Sequence, residues 1–206
     1  MCGVAALGAR GASDPKAVSW VLEHLEASAE DLRFRVREEV PRALARIGAV
    51  RGAPLVEEVR GWMDGFFQAA AVLTAAADHA WLPTLKDPDA IVSRLDEAFE
   101  LARGAERAAE RYPGYKALVD ALSVTPGVFA ARFGAPVFDK LAAWSTVKEP
   151  KLREAIRNSL RGTRLTKRFA LDVARVEAAL LASAPVRRDP LTDVGPTRGR
   201  GRKRKR

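Results

Sequence analysis

Apolar residues recur at intervals of three and four along most of the chain: Val18, Val21, Leu22 and Leu25; then Leu32, Val36, Val40, Leu44 and Ile47; then Ile91, Leu95, Ala98, Phe99 and Ala102. That spacing gives each segment one apolar stripe on a helix, and no stretch alternates with the period of two that a half-buried strand needs. Helix starts repeat one device, a polar residue followed by Pro, at Asp14-Pro15, Asp87-Pro88, Thr125-Pro126 and Glu149-Pro150. Proline is suited to the first turn because its missing N–H has no intrahelical acceptor there, and the preceding side chain can accept from exposed amides. Gly48, Gly134 and the Tyr112-Pro113-Gly114 turn read as stops, and Val4 to Gly8 reads as the end of a helix. The pattern predicts roughly eight helices, with a kink at Pro41 where a helical N–H is lost.

Two of these segments resemble each other. Val36-Arg37-Glu38-Glu39-Val40-Pro41-Arg42-Ala43-Leu44 aligns without gaps to Leu152-Arg153-Glu154-Ala155-Ile156-Arg157-Asn158-Ser159-Leu160, and Ile91 to Phe99 keeps the apolar and small positions without the Arg. The segment from Asp31 to Gly48 resembles the second helix of a HEAT repeat. The resemblance implies stacked helix pairs and an Asp31–Arg37 pair tying neighbouring repeats together. One helix pair cannot bury its apolar face alone, whereas several stacked pairs build a continuous core and a curved surface. The resemblance covers residues 14–48 and 147–168 well, and the uneven spacing of the copies requires long insertions between them. An irregular helical bundle is the competing architecture.

The chain has 206 residues, 48% of them hydrophobic, enough for one domain with a sizeable core. The excess of Arg over Lys suits a GC-rich bacterial genome. The single Cys2 cannot close an internal disulfide, which fits a reducing compartment. Met1 to Leu7 lacks the basic start of a signal peptide, and no apolar run reaches the ~20 residues of a membrane span. The expectation is a soluble cytoplasmic protein without membrane contact, with association with the nucleoid one form of it.

Charge is distributed unevenly. Residues 1–147 carry slightly more acid than base, whereas residues 148–168 hold eight Lys or Arg against Glu149 and Glu154, and residues 187–206 hold nine against Asp189 and Asp193. Such asymmetry points to a polyanionic partner met from one end. Arg153, Arg157, Arg161, Arg164 and Arg168 are spaced four, four, three and four, so an unbroken helix would align them within about 80° of arc. Like charges on one stripe repel unless phosphates or internal carboxylates offset them. Gly162 argues against an unbroken helix, and Arg153 has a structural alternative as the Arg of its repeat.

Beyond Ala184 the composition turns to Pro, Gly and Arg, with no aromatic residue, and cannot order itself by burial. Residues 185–206 are therefore expected to form a disordered basic tail. Pro196-Thr197-Arg198-Gly199-Arg200-Gly201-Arg202 resembles the Arg-Gly-Arg core of an AT-hook, with Gly201 where that motif has Pro. Generic attraction to phosphate by Arg198, Arg200, Arg202, Lys203, Arg204, Lys205 and Arg206 is the simpler reading.

Catalytic chemistry is weakly signalled. His24 and His79 are the only histidines, neither stands at a recognisable spacing from a nucleophile, and no metal-ligand pair or phosphate loop appears. The residues around Trp144, Arg153 and Arg157 resemble bacterial HEAT-like alkylpurine DNA glycosylases. That resemblance implies paired Trp and Asp residues on a basic concave face, for which Trp62-Met63-Asp64 and Asp78 with Trp81 are candidates. The helical spacing of Trp62, Met63, Phe66 and Phe67 favours a core role instead.

Together these observations predict an all-α, HEAT-like α-solenoid over residues 1–184 and a disordered tail over 185–206. The expected role is non-catalytic binding of nucleic acid, DNA before RNA, through Arg153, Arg157, Arg161, Arg164, Arg168 and the tail. The rivals are a scaffold binding another protein on its concave surface and a lesion-processing glycosylase. No cofactor and no metal are implied.

Overall fold

The structure is a computed structural model that describes residues 2–185. The predicted tail, with Arg198, Arg200, Arg202, Lys203, Arg204, Lys205 and Arg206, lies outside the described residues. Those described are all-α, with no strand among them. Helices α1 (Cys2–Ser13), α2 (Val18–Ala29), α3 (Phe34–Arg51) and α4 (Pro54–Glu58) lead through a 3-10 turn (Arg60–Asp64) to α5 (Phe66–Ala76) and α6 (Asp89–Arg103). Then come α7 (Pro113–Leu122), α8 (Thr125–Phe133), α9 (Ala135–Trp144), α10 (Pro150–Ser159), α11 (Thr163–Arg168) and α12 (Ala170–Ala182). The helices are more numerous and shorter than the predicted eight, because Pro and Gly break the chain more often than the apolar period reveals.

Two ranks emerge from the packing. In one, α3 lies between α1 and α5, and α7 continues the rank from α5 to α10; in the other, α6, α9 and α12 follow one another. Between them lies a continuous core containing Trp81, Phe99, Phe129 and Phe138, all buried. The apolar stripes of the sequence face this core: Val18, Val21, Leu22 and Leu25 from α2, and Val36, Val40, Leu44 and Ile47 from α3, are buried. Leu32, included in that second stripe, precedes α3 and is exposed. No described helix is long and apolar enough to cross a membrane.

Local signals are honoured unevenly. Asp14 accepts from the Lys16 amide (3.0 Å) and Asp87 from the Asp89 amide (3.0 Å), as the capping pattern predicts. Thr125 lies inside α8 and donates its hydroxyl to Ala121 O, while Glu149 makes no side-chain cap. Gly134 ends α8 at φ +68°, and Gly52 ends α3 with the same left-handed angle. Gly48 is no stop: it lies within α3, where a Cβ would penetrate the Trp81 indole. Nor does Gly8 end a helix, since α1 continues to Ser13 and uses Gly8 to approach α3; a Cβ there would lie 2.7 Å from Ala43 Cα. Helix α3 continues through Pro41, and Gly114 lies in the first turn of α7, so residues 112–114 open a helix instead of closing one.

Candidate nucleic-acid interface

Helix α10 is strongly amphipathic. Leu152, Ala155, Ile156 and Ser159 are buried, and the charged Arg153 is buried with them. Its guanidinium donates to Ser145 O (2.8 Å), Val147 O (3.1 Å) and Ser183 Oγ (3.0 Å), and also to Leu180 O. These acceptors belong to the C-terminal ends of α9 and α12, where helical carbonyls lack partners along their own helix. Arg153 therefore leaves the predicted stripe: it is an internal cap joining three helices, and no phosphate can reach it.

The stripe also loses its continuity. Helix α10 ends at Ser159, Gly162 takes an extended conformation (φ −62°, ψ 121°), and α11 begins at Thr163. Arg157 and Arg161 lie before this corner and Arg168 after it, all three exposed. None of them has a carboxylate within ion-pair distance among the described residues. Lys167 and Lys148 are exposed too, whereas Lys151 is bound to Glu110 at 2.8 Å. That hydrogen bond and charge hold the Glu110 carboxyl below the usual range. Arg168 rests over the Phe169 ring at 4.9 Å, and Arg164 belongs to α11, its side chain lying outside the described atoms.

Helix α8 packs on both α10 and α11 and so holds the corner in place. The approach is close because Gly127 of α8 faces the backbone of Ser159, where any side chain would overlap the carbonyl. Alongside runs a mainly apolar cleft of about 540 Å³ lined by Val124, Val128, Asn158 and Leu165 among others. The cation in its lining is Arg132, whose guanidinium donates to Leu85 O at 3.2 Å, and Asn158 and Ser123 add polar groups to its wall.

The tryptophan candidates have other occupations, whereas Asp64 is exposed. Trp62 and Met63 are buried. Trp81 is fully buried and donates its Nε1 hydrogen to Gly52 O at 3.1 Å, so it cannot share a surface pocket with Asp78. His79 is almost fully exposed beside Asp78 (3.2 Å), and the His24 ring lies against Trp20, with centroids 4.1 Å apart and the planes tilted by 40°. Trp144 donates to Asp96 Oδ1 (2.7 Å), stacks on Phe99 (5.1 Å) and lies under Arg103 (5.4 Å). Asp96 is also paired with Lys140 at 3.2 Å. This Trp144–Asp96 pair borders a pocket of about 450 Å³ with both acidic and basic walls. Sequence reading missed it because the two residues are 48 positions apart and on different helices.

Fully buried Arg94 was missed as well. It is paired with Glu97 (2.8 Å) and Glu57 (3.7 Å). No cluster of three or more metal-ligating side chains occurs among the described residues. Comparison with protein-family models, with curated proteins and with solved structures finds no match.

Proposed function

We propose that this protein is a non-catalytic nucleic-acid-binding protein of stacked helix pairs, which grips the phosphate backbone from the α10–α11 corner and from the basic residues beyond α12. The observation that carries this reading is the exposure of Arg157, Arg161, Lys167 and Arg168 without a carboxylate partner among the described residues. Four unneutralised cations within one corner are costly to the isolated chain and are offset by phosphates through charge-assisted contacts. A HEAT-like arrangement is supported by the succession α3, α5, α7, α10 in one rank and α6, α9, α12 in the other. DNA is favoured over RNA because the corner offers a cationic border for duplex phosphates and, among the described residues, no fully exposed aromatic side chain for unstacked bases.

The test is binding of labelled duplex DNA over a salt series. Neutralising Arg157, Arg161 and Arg168 together should weaken binding, as should removing residues 186–206, with additive losses and shallower salt dependence in each case. A slope near −6 for the whole chain corresponds to about a thousandfold loss of affinity between 50 and 200 mM salt. Unchanged affinity in the triple variant would refute the part assigned to the folded domain.

A second reading, a scaffold for another protein, is favoured by a different surface. An apolar groove of about 390 Å³ lies between α3, α5 and α7, floored by Phe67, Ala70 and Ala71, with Phe34 more than half exposed at its edge. Exposed aromatic surface of this kind commonly marks a contact for a protein partner. A stoichiometric partner retained after nuclease treatment and after removal of residues 186–206, and lost on Phe34→Glu, would favour it.

A further inference from the structure

Helix α12 buries Val173, Val176 and Leu180 against its neighbours, and on the opposite side it displays Leu171, Ala174, Ala178 and Leu181. Leu171 is 88% exposed and Leu181 79% exposed, the most exposed leucines of the described chain after Leu32. At 100° per residue the four positions fall within about 80° of arc and run about 15 Å along the axis, a continuous apolar stripe opposite the buried one. Isolated exposed leucines are ordinary, but two leucines and two alanines aligned on a single outer face form a surface suited to receiving another helix.

The order of the stripe says which helix. Read in either direction it is Leu, two residues, Ala, three residues, Ala, two residues, Leu. Two such helices laid antiparallel about Val176 place Leu171 opposite Leu181 and Ala174 opposite Ala178 at both ends of the contact. The central alanines let the backbones approach closely, and the leucines close over the ends. A self-complementary face of this kind is what a two-fold interface between identical chains requires. On one flank Arg175 is neutralised within its own chain by Asp139 (2.7 Å) and Asp172 (3.5 Å); on the other Glu177 is exposed, and the two-fold brings the two Glu177 carboxylates to the same side, so screening by salt favours the pairing.

We infer that the outer face of α12 is a homodimer interface, in which α12 pairs antiparallel with α12 of a second copy through Leu171, Ala174, Ala178 and Leu181. The inference is independent of the nucleic-acid reading. A contact of three helical turns is smaller than the ~800 Å² per partner of a standard interface, so the dimer is weak and forms with rising concentration.

The experiment uses the full chain carrying Cys2→Ser, into which Ala174→Cys and Ala178→Cys are introduced separately. Sedimentation of the Cys2→Ser chain should show a monomer–dimer equilibrium, and Leu171→Glu with Leu181→Glu should abolish it while leaving the circular dichroism unchanged. Under mild oxidation, a mixture of the two cysteine variants should form a mixed disulfide faster than either variant forms one alone, because only the antiparallel register brings positions 174 and 178 together. Three results would overturn the inference: a monomer at every concentration, cross-linking of each variant with itself as fast as in the mixture, or protection of the introduced thiols by residues 186–206 of the same chain, seen as their faster labelling once that segment is removed.

Discussion

Arg37 and Arg153 hold equivalent positions in the two similar segments, and each guanidinium donates to the backbone carbonyl six residues upstream, Arg37 to Asp31 O and Arg153 to Val147 O. The resemblance to HEAT repeats implied a pairing of Arg37 with the Asp31 carboxylate. That carboxylate is taken instead by Arg33, through Nε at 2.9 Å and NH2 at 2.7 Å, and Arg37 uses the main chain. In both places the arginine satisfies carbonyls of the turn that leads into its own helix, which fixes how that helix leaves its predecessor.

Replacing Arg153 should therefore act on stability. Arg153→Met removes donors from Val147 O and Leu180 O in the interior, while Ser145 O keeps the Ser183 hydroxyl, and the loss should cost about 3 kcal/mol. Urea unfolding monitored by circular dichroism measures it. Below the transition, DNA affinity should be unchanged, the reverse of what Arg157→Gln should give.

Gly48→Ala should be destabilising although alanine is the better helix former. The added methyl enters the Trp81 ring, which is fully buried and anchored to Gly52 O, so α3 and the indole must separate. A loss of about 1–3 kcal/mol is expected for overpacking of this kind. Thermal unfolding of the variant should show a lower midpoint with the same helical content at low temperature.

Asp96→Ala should be worse than Asp96→Asn. Asn keeps an acceptor for the Trp144 Nε1 hydrogen and loses only the exposed charge pair with Lys140, a change within about 1 kcal/mol. Ala leaves a largely buried indole N–H unpartnered, costing about 1–3 kcal/mol. The two denaturation midpoints decide this.

Asp31 supplies a pH-dependent contribution of known sign. Its side-chain hydrogen bond to Arg33, then the Arg33 amide, hold the carboxyl well below the usual carboxylate range. A carboxyl lowered on folding contributes stability that is fully present above its unfolded value and is lost as pH falls through the folded one. Asp31→Asn should therefore lower the melting temperature at neutral pH, and the difference from the parent chain should shrink as the solution is acidified. A difference independent of pH would show that the side chain acts through shape and not charge.

The helical class, the burial of the Val18–Leu25 and Val36–Ile47 stripes, the Asp14 and Asp87 caps, the Gly134 stop and the core placement of Trp62 and Met63 were legible in the sequence. Each depends on residues within one or two turns, and a 3.6-residue period carries that information locally. The same local grammar could not separate two uses of one residue type. Gly48 and Gly134 look alike as helix stops, yet Gly48 makes room for Trp81 from a distant turn, and only packing decides that. Arg153 and Arg157 share a stripe by spacing, but Arg153 points toward the open carbonyls of α9 and α12 while Arg157 meets solvent. Sequence thus determined where helices form and where charge accumulates, because both are properties of neighbouring residues. Tertiary structure alone decided which arginines are free, which glycines bring helices together and which carboxylate meets Trp144, because those depend on which unsatisfied groups other helices bring within reach.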